Sequence, residues 1–193
     1  MRVLVLHAHP DPESFSGALY RETLAALKQA NHEVTAFDLY ERGFDPVLSR
    51  AEWQGYSKVP ENRIGLEADV QALLDAEAIV FVFPVWNFGL PAILKGYLDR
   101  VFLPGVSFHL TPKQIAPGLR NVKRLVVVTT YGSTRFWATL MGDPPRKLFH
   151  RMLRALIHPR GRCTYLAHHA IERSTVQSRA AFASRVRTAL SNL

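Results

Sequence analysis

Continuous apolar runs and helical stripes alternate along the chain. Residues 2–6 (RVLVL), 79–83 (IVFVF) and 124–130 (RLVVVTT) are rich in Val, Leu and Phe. They lack the period-two alternation of a half-exposed strand, which predicts strands buried on both faces. Residues 33–38 and 163–167 are weaker strand candidates. Between these runs, Leu66, Val70, Leu73 and Leu74 recur at i, i+4, i+7 and i+8, and Leu94, Leu98, Val101 and Phe102 repeat the spacing. That is the apolar face of a helix. Three more stripes follow the same rule: Tyr20, Leu24 and Leu27 within residues 14–30, then Leu148, Met152 and Leu156, then Phe182, Val186 and Leu190. Strand and helix thus alternate five times. Right-handed crossovers turn such a chain into a parallel sheet with helices on both faces, a doubly wound α/β fold, and the stripes are assigned to packing.

Two connections exceed the usual ~4–6 residues, at about 41–64 and 104–120. The first carries Pro46, Trp53, Tyr56 and Pro60, and the second Pro104, Phe108, Pro112 and Pro117, as in ordered excursions that cover a pocket or pad a dimer interface. The length of 193 residues suits one domain, and 48% hydrophobic with 21% charged residues predicts a soluble globular protein. No apolar run approaches the ~18 residues of a membrane span. The opening MRVLVLHAHP lacks the small residues of a signal-peptide cleavage site, so a cytoplasmic protein is expected. Cys163 is the sole cysteine, which excludes an intramolecular disulfide and the usual cysteine metal site. Its apolar surroundings favour a core residue over a nucleophile.

The formal charge of +8 raises the question of nucleic acid. The basic residues are concentrated after residue 113, with Arg146, Lys147, Arg151 and Arg154 at helical spacing, and no nucleic-acid motif accompanies them. A solvated helix face is the simpler reading, and attraction of an anionic dinucleotide or an acidic membrane surface is the functional one.

In open parallel sheets ligands bind beyond the carboxyl ends of the strands, where the strand order reverses. Three segments meet there. His7–Ala18, HAHPDPESFSGA, lacks the glycine patterns of Rossmann and P-loop sites and offers His9, Ser14 and Ser16 instead. Hydroxyls and free amides at a helix start can hold phosphate, although the same serines could simply cap the helix. Phe83–Arg100, FPVWNFGLPAILKGYLDR, ends a buried strand in Pro84 and then presents Trp86 and Phe88 before Pro91 opens a helix. Aromatic side chains and turn amides there suit a planar heterocycle. Thr129–Trp137, TTYGSTRFW, brings hydroxyls, Gly132 and backbone amides to the next strand end.

The segments HAHPDPESFS, FDLYERGFDPVLSRAEW, FPVWNFGLPAILKGYLDRVF and VVVTTYGS, in that order and spacing, resemble the flavodoxin-like NAD(P)H:quinone dehydrogenases over residues 1 to about 145. The resemblance implies five parallel strands in the order 2-1-3-4-5 and a non-covalent flavin, FAD or FMN. It also implies a homodimer with active sites at the subunit interface and hydride transfer from NAD(P)H to a quinone. By position it carries the flavin phosphate and ribityl loop onto His9, Ser14, Phe15, Ser16 and Ala18. The ring-binding turn falls on Pro84, Val85, Trp86, Asn87 and Phe88, and the second ring loop on Thr129, Thr130, Tyr131 and Gly132. The chain departs from animal members at Asn87 and Tyr131. The substrate-facing positions fall on Phe108 and Leu110 where those members have tyrosines, and on Met141 where they have a histidine. Substrate choice is therefore the open part. Reduction of azo dyes, nitroaromatics or free flavin is one alternative, and an ancillary flavoprotein docked on a potassium efflux system is another.

Overall fold

The computed structural model describes residues 1–111 and 114–193, so Pro112 lies outside the described residues. Five parallel strands, β1 (Arg2–His7), β2 (Glu33–Asp38), β3 (Ala78–Val85), β6 (Arg124–Tyr131) and β7 (Arg162–His168), form one sheet in the order β2-β1-β3-β6-β7. This is the predicted order once the small antiparallel hairpin of β4 (Phe108–Leu110) and β5 (Ile115–Pro117) is set aside. The central β3 is buried at every residue, which is why its sequence reads as an unbroken apolar run. The edge strand β2 has no fully buried residue and reads weakly.

Successive side chains of a strand point to opposite faces, so the sheet feeds two cores. Val3, Val5, Val80, Val82, Val126 and Val128 meet α1 (Phe15–Gln29) and α8 (Val176–Ser191) through Leu19, Leu27, Phe182, Val186 and Leu190. Leu4, Leu6, Ile79, Phe81 and Phe83 meet α3 (Glu67–Asp75) and α4 (Ala92–Val101) through Leu73, Leu94 and Leu98. That second core is closed by residues 144–156, where α6 (Pro144–Lys147) and α7 (Arg154–Leu156) flank a π-helical stretch at Leu148–Leu153.

The stripe predicted there is displaced by one residue. Phe149, Leu153 and Ile157 are buried, whereas Met152 is 43% exposed. The core position belongs to Phe149, whose ring lies 4.9 Å from Phe81 and 5.5 Å from Phe83. Aromatic contacts of this kind add about 0.5–1.5 kcal/mol to burial itself. Leu148, Met152 and Leu156 face outward and line a surface groove with Leu98, Phe102 and Phe108.

The described residues of the two long connections are tied together. The first holds the short α2 (Arg50–Gly55) and a 3-10 turn at Glu61–Arg63. Asn62 Nδ2 donates to the carbonyls of Tyr56 and Pro104, each at 3.0 Å, and Arg63 donates to Gly105 O at 2.8 Å. Arg42 grips Asp69 through both guanidinium nitrogens at 2.7 and 3.1 Å. Cys163 is half-buried on β7, and burial pushes its thiol up to about 11, which suits a packing residue and not a nucleophile. Among the described residues no helix is long and apolar enough to cross a membrane.

Candidate functional site

The parallel register brings the carboxyl ends of all five strands to one edge: His7 beside Asp38 and Val82, Pro84 beside Thr130, and Thr130 beside His168. The β1–α1 loop turns sharply there. Ser14 is the N-cap of α1, accepting from Gly17 N at 3.1 Å and donating to Asp11 O at 2.7 Å, so its hydroxyl is engaged by its own helix. Ser16 differs: it is 3% exposed and its Oγ has no hydrogen-bond partner among the described residues. A buried hydroxyl without a partner costs about 1–3 kcal/mol and calls for an explanation. The backbone N–H groups of Phe15 and Ser16 are equally unpaired, as the first turn of a helix requires. Gly17 permits the tight loop, because a Cβ there would stand 2.1 Å from Pro12 O. His9 Nδ1 lies 3.0 Å from both the N and the O of Asp11, which fixes the ring against the loop, and the imidazole meets the Trp86 ring edge-on at 5.8 Å.

The β3–α4 loop is a two-residue hairpin. Trp86 and Gly89 exchange backbone hydrogen bonds of 3.3 and 2.8 Å across Asn87 and Phe88, whose φ angles are 48° and 57°. Two positive φ values make a type I′ turn. Asn tolerates this region, but a Phe held there stores about 1–2 kcal/mol of strain. Trp86 is 40% exposed at the mouth. The amides of Asn87, Phe88, Gly132 and Ser133 have no partner among the described residues, and all four residues line one cavity of about 210 Å³ with Val85 and Tyr131.

At the end of β6 the predicted residues divide. Thr130 lines the cleft, while Thr129 is wholly buried and donates its hydroxyl to Phe83 O at 2.7 Å, locking β3 to β6. Tyr131 lines the cavity of about 210 Å³ and not the cleft. Its phenol donates to Asp143 Oδ1 at 2.6 Å and lies 2.6 Å from Tyr165 Oη, and its ring packs on His169 at 4.5 Å. Burial, with Tyr165 and Asp143 adding to it, holds the Tyr131 phenol far above its ordinary range, so it is a fixed donor and not an acid.

A cleft of about 280 Å³ joins these segments: His9, Ser14 and Ser16 from the first, Trp86 from the second, Thr130 and Gly132 from the third. Phe15, Pro84 and Val85 complete the predicted set along its walls. Ile171 and Glu172, in a 3-10 turn after β7, line it as well and were missed by the sequence reading. They carry no motif, and only their place beyond a strand end on the same edge could have flagged them. Ala18 lies inside α1 and does not reach the cleft. Phe108 lines the separate apolar groove, and Leu110 and Met141, 60% and 46% exposed, line neither cavity within one chain.

Below the cleft, His7 is 1% exposed, with Nδ1 2.7 Å from Asp38 Oδ2 and the imidazole stacked on Tyr20 at 4.4 Å. Burial lowers its pKa from 6.5 against the pull of Asp38, and burial also lowers His150, His168 and His169. A base with a lowered folded pKa binds fewer protons folded than unfolded, so its stabilisation is present above the unfolded value and is lost as pH falls below it. The midpoint of thermal unfolding should therefore fall as pH drops from 7.5 to 5.5, and fall less steeply in His7→Gln. Circular dichroism melts across that range check this, and a melting point that holds steady or rises on acidification contradicts it.

Comparison with known proteins places this geometry in context. Residues 1–191 match the family model described as a flavodoxin-like fold. The chain is 31% identical over 153 residues to NAD(P)H dehydrogenase [quinone] 1 of Cavia porcellus, a match covering 71% of this chain and 56% of that protein. The chain thus spans about half the length of that relative. Among solved structures it superposes on Smu.1420 from Streptococcus mutans with a TM-score of 0.82 at 26% identity, covering both chains completely. It shares its fold with an FMN-dependent NADH-azoreductase from Bacillus anthracis solved in complex with FMN, at a TM-score of 0.77 and 20% identity over 99% of this chain and 98% of that one.

Proposed function

We propose, from the premise that the chain belongs to the family of the flavodoxin-like fold, that it is a flavin-dependent NAD(P)H oxidoreductase whose acceptor is a quinone. The observation that carries the reading is the buried hydroxyl of Ser16, without a partner among the described residues, in a cleft that holds the exposed Trp86 and shares Val85 and Gly132 with the cavity where four backbone amides are free. These donors match a ligand with a phosphate at one end and a flat ring bearing carbonyl and nitrogen acceptors at the other. The residues present therefore fit FAD or FMN. Ser16 and the amides of Phe15 and Ser16 would hold the phosphate at the positive end of α1, with His9 lining the same cleft. Trp86 would flank the ring, and the amides of Asn87, Phe88, Gly132 and Ser133 would bond its edge.

The flavin supplies the redox chemistry, taking two electrons from NAD(P)H and passing them to the acceptor. The chain's own part is positional and electrostatic. Amides fixed in a I′ turn and after β6 need no reorganisation when negative charge develops at the ring edge, and each such donor is worth about 3 kcal/mol. Reduction of a quinone by hydride also consumes a proton, and Tyr131, held as a neutral donor to Asp143, is not its source. The quinone preference is supported by the resemblance to NAD(P)H dehydrogenase [quinone] 1.

Assembly as a homodimer completes the reading. The apolar groove of about 280 Å³ beside β4, together with exposed Leu110 and Ile115, leaves a face that a second copy would cover. Visible absorption of the purified protein, mass analysis of the released cofactor and light scattering test these points together. A colourless monomer that neither FMN nor FAD reconstitutes overturns the proposal. Steady-state rates with quinone, azo, nitro and flavin acceptors test the rest: kcat/KM highest for quinones supports the acceptor named here, and a higher value for another class, or negligible turnover with all, removes it.

A further inference from the structure

Outside the cleft described above, a second cavity of about 410 Å³ opens between α5 (Arg135–Leu140) and the start of α6. Arg135 and Thr139 of α5, Arg146 and Lys147 of α6, and His169 line it. Among the described residues none of the three cations makes an ion pair or a side-chain hydrogen bond. Arg146 instead lies over the Tyr165 ring at 5.5 Å. The one carboxylate lining the cavity, Asp143, is engaged by the Tyr131 phenol at 2.6 Å. Its backbone is left-handed at φ 44°, directly after Gly142 at φ 81°. A Cβ on Gly142 would stand 3.1 Å from Lys147 Nζ, so the glycine leaves room for the ammonium. His169 Nδ1 is buried with no partner.

Three cations around one concavity repel one another, and the single nearby carboxylate already accepts from a phenol. Such a set is stabilised by an anion with several acceptor oxygens, which guanidinium groups bind in a bidentate fashion and an ammonium binds as a point charge. We infer that this cavity is an oxyanion site that takes the phosphate or carboxylate group of a small ligand, with Arg135, Arg146 and Lys147 as its binding residues. The site is distinct from the Ser16 cleft and does not depend on flavin being bound there. The two share no lining residue, and the Tyr131 ring packs on His169 of this cavity at 4.5 Å. The oxyanion can come from the phosphates of a dinucleotide donor or from a separate acidic ligand.

Inorganic pyrophosphate is the probe. Titrated calorimetrically into the full chain at low ionic strength, it should bind saturably at one site. Affinity should fall at least tenfold in Arg146→Ala/Lys147→Ala and severalfold in Arg135→Gln, and should be unchanged in Lys28→Ala, which removes a cation on α1. Failure of the wild-type chain to bind, or equal affinity in the double variant and Arg135→Gln, overturns the assignment. The source is read from the donor: a matching rise in KM for NADPH or NADH in the double variant, with pyrophosphate competing, identifies the donor's phosphates. Lost pyrophosphate binding with unchanged KM identifies a separate acidic ligand, and both results support the cavity. A chain that binds pyrophosphate as described but takes up no flavin defeats the oxidoreductase proposal alone.

Discussion

Replacing Ser14 and Ser16 by alanine is expected to weaken flavin binding about a hundredfold while leaving the protein folded. The two serines sit at the same helix start but do different work. Ser14 Oγ is spent on Gly17 N and Asp11 O, so its loss costs about 1 kcal/mol of stability through the missing cap and loosens the loop that aims the amides. Ser16 Oγ has no hydrogen-bond partner among the described residues, so its loss removes no hydrogen bond seen within them. A hydrogen bond to a charged group is worth about 1.5–3 kcal/mol, and ~2.7 kcal/mol is a factor of a hundred in Kd. The single variants separate the two contributions. Ser16→Ala should weaken flavin binding yet leave the melting point of the flavin-free chain unchanged or raised, because a buried orphan hydroxyl is gone. Ser14→Ala should lower that melting point. Fluorescence titration of flavin against each variant gives the affinities, and wild-type affinity in the double variant would remove the serine loop from the site.

How far the sequence carried this reading depends on what each residue's neighbours are. β1, β3 and β6 were legible because both of their faces are buried and the run is uniformly apolar. The order of the strands followed from the resemblance. The stripe at Leu148, Met152 and Leu156 was real but belonged to the groove and not the core, because that helix is apolar on two adjacent faces and spacing cannot rank them. Thr129 and Tyr131 were assigned to the cleft with Thr130, although side chains two apart on a strand share a face and those one apart do not. That alternation was available in the sequence and would have separated Thr130 from its neighbours. The Tyr131, Asp143, Tyr165 and His169 cluster had no local signal at all. Its members lie up to 38 positions apart and meet only because β6 and β7 pair in register.

Phe88→Gly is expected to lower kcat/KM for NAD(P)H oxidation at least tenfold while the protein becomes no less stable. The turn type argues the second half of that statement. A I′ turn needs positive φ at both central positions, and Asn followed by Gly is the pair it prefers. The strain of about 1–2 kcal/mol at Phe88 would be relieved, and the greater freedom of glycine in the unfolded chain takes back about 0.5–1 kcal/mol. Loss of packing from a half-buried ring offsets part of what remains, so unfolding free energy should rise by no more than about 1 kcal/mol. A residue kept in so unfavourable a conformation, on a turn whose amides are free and whose neighbour Trp86 is exposed, is held there by something other than folding. The proposed cause is contact with the flat ring or with the substrate stacked on it, and its removal should be felt in turnover. Urea unfolding and steady-state rates on flavin-loaded protein, with flavin content checked by absorption, decide the matter. A variant that loses more than about 2 kcal/mol of stability yet keeps wild-type kcat/KM would show that Phe88 is a packing residue and that the turn is strained for the sake of the fold.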